Sequence, residues 1–306
     1  MITVTEWIIF HIIIGIVLLI DLFAHRKAHV QTLKESLIWS IIWIAAAGVF
    51  TIFIFDRLGE QAALDYGTAY IIEKMLSVDN LFVFAVIFAY FGIDKKYEHK
   101  ILFYGIIGAI LARAGFIFAG VHLIESFHFM TYIFGIALFY TGFRLLKHHG
   151  TPSDPNKNPV VRYVRRLFPV SEEHNGRFFV VFKGKKAITP LFITLIAVES
   201  TDILFAIDSV PAVLAITHDL FVAYTSNIFA ILGLRSLYFL LMNTLEKLKY
   251  LHVGLFILLM YLGAKMIATN FIEIPTLMSL GIVAGILTIT TIISLKARDN
   301  PKYPSS

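Results

Sequence analysis

Two stretches of this chain set acids inside apolar text. "EKMLSVDNLFVF" carries Glu73, Asp79 and Asn80, and "VESTDILFAIDSVP" carries Glu199, Asp202 and Asp208. A charge at the centre of a membrane helix costs about 2.5–3.5 kcal/mol on insertion scales, so acids kept there are candidates for function. Five carboxylates, the Asn80 amide and the nearby hydroxyls of Ser77 and Ser209 make a donor set of oxygens, with no His or Cys among them. Hard oxygen donors suit Ca²⁺, Mn²⁺ or Mg²⁺ rather than copper or structural zinc. The candidate metal ligands are therefore Glu73, Asp79, Asn80, Glu199, Asp202 and Asp208, with Ser77 and Ser209 as accessories.

Helical rise arranges these acids by depth. At about 1.5 Å per residue, Glu73 lies about 9 Å outward of Asp79, and Asp208 lies about 9 Å outward of Asp202 if the second helix runs the opposite way. Glu199 sits one turn inward of Asp202 on the same face. The expected ladder has Glu199 innermost, Asp79 and Asp202 central, and Glu73 with Asp208 outermost. Asp202 and Asp208 would point about 120° apart on a straight helix, so their convergence requires a bend. Pro211 is the expected cause, because it has no N–H for the carbonyl of Ile207.

Arg113 and Arg235 are further accessory candidates; a purely structural ion-pair network is the alternative reading, but two cations cannot balance five acids. Lys74 is expected to face away from Glu73, its chain neighbour. Arg144 and Lys265 are expected to snorkel from helix ends. Asp21 is an accessory candidate, expected at an interface beside His25 and Arg26, and His122, His128, His218 and His252 are read as interfacial.

The elements that must hold these residues follow from composition. The chain has 306 residues, 58% of them hydrophobic and 15% charged, with a mean hydropathy of +0.78. That is too apolar for a soluble domain and specifies an all-α polytopic membrane protein. Apolar runs of membrane length fall at roughly 6–24, 36–55, 67–91, 99–121, 128–146, 188–216, 220–244, 250–268 and 275–295, so nine transmembrane helices are expected. The first run follows no basic stretch and reads as a retained helix rather than a cleaved signal.

Basic residues fix the expected orientation. Arg26, Lys27, Lys34, Lys95 and Lys96, the basic segment 147–187, Lys247, Lys249, Lys296, Arg298 and Lys302 follow alternate spans, whereas the intervening loops contribute Arg57 alone. The positive-inside rule then places the N-terminus outside and the C-terminus in the cytoplasm. The formal charge of +5 is thereby absorbed into loops, which excludes a nucleic-acid partner and makes the bilayer the expected one. Having no cysteine, the chain has no disulfide, thiolate metal site or Cys nucleophile, and no prosthetic group is expected. The segment 147–187 reads as a cytoplasmic loop and lipid-facing basic patch, with a short hairpin expected around Asn175 and Gly176.

An internal repeat links the two acidic stretches. "SVDNLF" from Ser77 matches "STDILF" from Ser200, "AILARAGFIF" from Ala109 matches "AILGLRSLYF" from Ala230, and "FYTGFRLL" from Phe139 matches "MYLGAKMI" from Met260. Each copy holds three helices, an odd number, so the second copy must insert upside down, as in secondary transporters with sites at the repeat interface. The expected division is 1–66 for two peripheral helices, 67–146 for the first repeat, 147–187 for the loop, 188–270 for the inverted repeat, and 271–306 for the last helix and tail.

The strings "IEKMLSVDNLFVF", "VESTDILFAIDSVPAVLAIT", "SNIFAILGLRSLYFLL" and "IPTLMSLGIVAGIL" closely resemble the TerC family of integral membrane proteins, in particular its bacterial Alx-like members. That family is grouped with LysE-type exporters, is linked by name to tellurite resistance and by function to manganese export, and carries its acidic motif at positions matching Glu73, Asp79, Asn80, Glu199, Asp202 and Asp208. The resemblance implies an Mn²⁺ exporter of the bacterial cytoplasmic membrane. It alone selects manganese, since the residues themselves leave Ca²⁺ and Mg²⁺ open.

Moving a divalent cation outward against an inside-negative potential costs about 4.6 kcal/mol per 100 mV. No GxxxxGK[ST] phosphate loop is present to use ATP. Carboxylates that bind either protons or metal suggest proton antiport instead. One rival is an intramembrane aspartyl protease, which would carry GxGD, whereas Ser77 and Val78 precede Asp79 and Ser200 and Thr201 precede Asp202. The other is a membrane-protein assembly factor with a structural cation site.

Overall fold

The computed structural model describes residues 2–24, 32–127, 129–148, 158–171, 176–182, 185–242, 250–268, 271–272 and 276–298. Within them each apolar run becomes a helix or a bent pair of helices. These are α1 (Val4–Ala24), α2 (Leu33–Leu58), α3 (Glu60–Tyr90), α4 (Lys95–Ser126), α5 (Met130–His148), α7 (Pro190–Leu214), α8 (Leu220–Leu232) with α9 (Leu234–Met242), α10 (Leu251–Ala268) and α11 (Thr276–Arg298). The basic segment adds α6 (Pro159–Leu167) and the strands β1 (Phe179–Phe182) and β2 (Lys185–Ile188). The chain is an all-α protein of membrane type. Among the described residues α2, α4 and α7 are each long and apolar enough to cross a bilayer, and α8 with α9 would make a fourth such span.

Local chemistry sets the ends of several helices. Thr32 and Glu35 form a reciprocal capping box at the start of α2, with Glu35 N donating to the Thr32 hydroxyl at 3.3 Å. Gly59, at φ +89°, is both the end of α2 and the start of α3, a conformation that glycine adopts without steric cost. Helix α3 begins seven residues before the apolar run because Glu60 and Asp65 lie in its first turns, where hydropathy alone does not see helix.

The helices pack through small residues. Gly105 of α4 lies against Val198 of α7, with 3.6 Å from its would-be β-carbon to Val198 Cγ1. Gly120, further along α4, faces Leu214, further along α7, so these two helices run parallel. Helix α3 turns back into α4 through Gly92 at φ +61°, and α3 and α7 therefore run in opposite directions. Gly142 of α5 faces Phe256 and Met260 of α10, whereas Gly263 of α10 faces Gly135 and Phe139 of α5. These contacts make α5 and α10 antiparallel. Helix α4 packs on α7, and α3 packs on α8.

Three details differ from the sequence reading. The span at 220–244 is broken at Gly233, with a 42° bend between α8 and α9. The hairpin pairs Phe179 with Ile188 and Phe182 with Lys185, so its turn falls after Phe182. Asn175 lies outside the described residues, and Gly176 takes φ +71°. Lys265, expected to snorkel, is instead buried at 6% exposure, with Asp65 as an electrostatic partner across from α3. A long stem on a packed helix face reaches a counter-charge more readily than water.

Candidate functional site

The centre of the bundle is organised by Arg113, which has no solvent exposure. From α4 its Nη1 donates to Glu73 Oε1 on α3 and, at 3.1 Å, to Ser209 Oγ on α7. Its Nη2 lies 3.6 Å from Asp202 Oδ1, an ion pair too long to be a hydrogen bond. One guanidinium thus joins a carboxylate of α3 to one of α7. Glu73 Oε2 and Asp202 Oδ2 are buried without a hydrogen-bond partner among the described residues. Both carboxylates face the Arg113 guanidinium, and a buried charge is costly until groups of opposite sign or hydrogen-bond donors meet it.

Arg235 is buried near the same place. It lines a cavity with Asp202 and the apolar walls of Phe84, Ile106 and Val198, about 320 Å³ of unfilled space including its open side. Glu199, one helical turn before Asp202, lies across Gly108 of α4 so closely that a β-carbon at position 108 would occupy the carboxylate's place. Gly105 lies next to it, its would-be β-carbon 3.9 Å from Glu199 Oε1. Between the two acids, Ser200 Oγ accepts a 2.8 Å hydrogen bond from Asn158 Nδ2, at the start of α6.

Asn80 and Ser77 of α3 are buried, and Ser77 Oγ is unpartnered among the described residues. Lys74 does face away from Glu73: its Nζ donates to the Ala230 carbonyl at 3.0 Å, and Gly233 leaves room for it at the α8–α9 break. Asp79, Asp208 and Asp21 lie within α3, α7 and α1, and their side chains are outside the described residues, as is that of Arg144. Helix α7 continues through Pro211 to Leu214. Among the described residues no three His, Cys, Asp or Glu side chains come together as a metal cluster. Glu73, Arg113, Ser209 and Asp202 do come together, with Glu199 one turn along.

Sequence reasoning missed Gly108, whose bareness admits Glu199, and Asn158, which reaches in from the loop. It also missed Asn227 of α8, wholly buried with neither amide atom hydrogen-bonded among the described residues. A polar residue in an apolar run is its only sequence signal.

The model of the integral membrane protein TerC family matches residues 58–302. The chain belongs to the TerC family. It is 44% identical to a membrane protein of Myxococcus xanthus over 90% of this chain and 88% of that one. It is 39% identical to a membrane protein of Rickettsia bellii, over 92% and 94% respectively. It is also 39% identical to the Alx protein of Escherichia coli K12, over 94% and 93%, a relative provisionally described as a membrane-bound redox modulator. No solved structure matches the chain. Family membership makes it an integral membrane protein, and its relatives are bacterial.

Proposed function

We propose that this protein is a secondary transporter that exports divalent metal cations, Mn²⁺ foremost, across the bacterial cytoplasmic membrane in exchange for protons. The observation that carries the proposal is the buried guanidinium shared by carboxylates from both repeat copies, each with an oxygen left unpartnered. Those two carboxylate oxygens are the ones an arriving cation would meet. We take the antiparallel courses of α3 and α7, and of α5 and α10, as support for an inverted repeat with its site at the interface.

In this reading Asp79 and Asp202 are the central ligands, with Asn80 beside them. Glu199 admits the ion from the cytoplasmic side across Gly108, and Glu73 with Asp208 forms the outward route for metal or protons. Arg113 and Arg235 hold the acids together when no metal is bound. The N-terminus lies outside and the C-terminus inside. Isothermal titration of the purified protein with Mn²⁺ tests the site: binding lost in both Asp79→Asn and Asp202→Asn supports it, and undiminished binding in both contradicts it.

A further inference from the structure

Helix α6 belongs to none of the spans, yet it is built into the bundle. Val161 on one face is wholly buried, and the helix packs on α7. Val160, Tyr163 and Leu167 are 44%, 63% and 56% exposed, and their i, i+3, i+7 spacing makes them one stripe. Phe168, just past the helix, continues the stripe at 48% exposure. Arg162, Arg165 and Arg166 are also exposed, and α6 holds no acid. A greasy stripe with basic residues around it is the composition of a helix held at a membrane surface.

The helix also stands at the right level. Asn158, its N-cap, bonds Ser200, whereas Val170, beyond its other end, bridges to Ile188, just before α7. Helix α6 thus runs back along the first three turns of α7. Helix α4, parallel to α7, has Lys95, Lys96 and Lys100 at that same end, and Lys100 Nζ donates to the Gly176 carbonyl of the loop at 2.7 Å. The Arg165 guanidinium lies over Phe91, the residue just after α3, at 5.7 Å from the ring centre. The end of α6 that carries Arg165 and Arg166 therefore lies at the basic end of the bundle, where α3 ends and α4 begins, which is the level expected for lipid headgroups.

We propose that α6 is a docking element for anionic phospholipid, with Val160, Tyr163 and Leu167 entering the acyl layer and the three arginines meeting lipid phosphates. Asn158 then couples this lipid contact to the acidic stretch of α7, because its Oδ1 caps α6 through the Val160 N–H at 2.9 Å while its Nδ2 holds Ser200. The inference does not depend on what the protein transports.

The chain has no cysteine, so a Tyr163→Cys variant carries one environment-sensitive fluorophore at the stripe. The full chain is reconstituted in vesicles of phosphatidylcholine alone or mixed with phosphatidylglycerol. The expected result is blue-shifted emission, quenched by lipids brominated in the acyl chain, with the larger shift in the anionic vesicles. Arg162→Gln, Arg165→Gln and Arg166→Gln together should weaken the preference for anionic lipid by on the order of 100-fold, at about fivefold per charge, whereas three lysines should retain it. Emission of a water-exposed probe in both vesicle types would overturn the proposal. So would a blue shift without bromine quenching, which would mean a protein covers the stripe, or a shift indifferent to lipid charge and to the arginines.

Discussion

Replacing Arg113 with glutamine removes the one cation shown to reach both Glu73 and Asp202. Its Nη1 is hydrogen-bonded to Glu73, and its Nη2 is 3.6 Å from Asp202. At an effective dielectric constant of about 20, unit charges about 4 Å apart attract by about 4 kcal/mol. Both acids are already out of water, so losing that attraction is not repaid by fresh hydration. Removing one member of a buried ion pair costs about 3–5 kcal/mol, and Arg113→Gln is expected in that range. Adding Glu73→Gln should recover the larger share, since that carboxylate receives the direct hydrogen bond. Adding Asp202→Asn to the single mutant should recover less. The assay is reversible unfolding in mixed micelles titrated with sodium dodecyl sulfate, read for all four proteins. An Arg113→Gln loss below about 1 kcal/mol, or no recovery with Glu73→Gln, would refute the account of the network.

Three further outcomes are expected. Gly108→Ala puts a methyl group where the Glu199 carboxylate lies; Mn²⁺ affinity measured by titration should fall by about tenfold, or about 1.4 kcal/mol, with the fold retained. Gly263→Leu forces bulk against the Gly135 carbonyl, 2.8 Å from the would-be β-carbon, and should cost about 1–3 kcal/mol in the same unfolding assay; Gly281→Leu, which meets nothing within 4 Å, is the neutral comparison. Lys74→Met removes the donor to the Ala230 carbonyl at the α8–α9 break and should cost about 1–3 kcal/mol, with Lys74→Arg less damaging.

The helices were legible in the sequence because a membrane leaves the backbone little choice. Apolar length alone marked them, and the error at α3 arose where Glu60 and Asp65 interrupt the greasy text within a continuing helix. The break at Gly233 was not legible: glycine in an apolar run is common, and the need for a bare position here comes from Lys74 of α3 and Trp43 of α2, which both close on it. Glu73, Arg113 and Asp202 were recognisable as residues too expensive to bury idly. Their pairing was not, since it requires knowing that α3 and α4 both pack on α7. Lys265 was misread because its sequence position at a helix end says nothing of Asp65 on another helix. Asn158 lies in text that reads as loop, and its reach to Ser200 depends on α6 folding back along α7.

The measurement that tests the central claim most directly is Mn²⁺ flux in proteoliposomes containing a pH-sensitive dye, comparing the wild-type chain with Asp202→Asn. The account predicts metal movement accompanied by proton movement in the opposite direction, both abolished by the substitution. Metal bound without flux, or flux unchanged by Asp202→Asn, would contradict transport through this site.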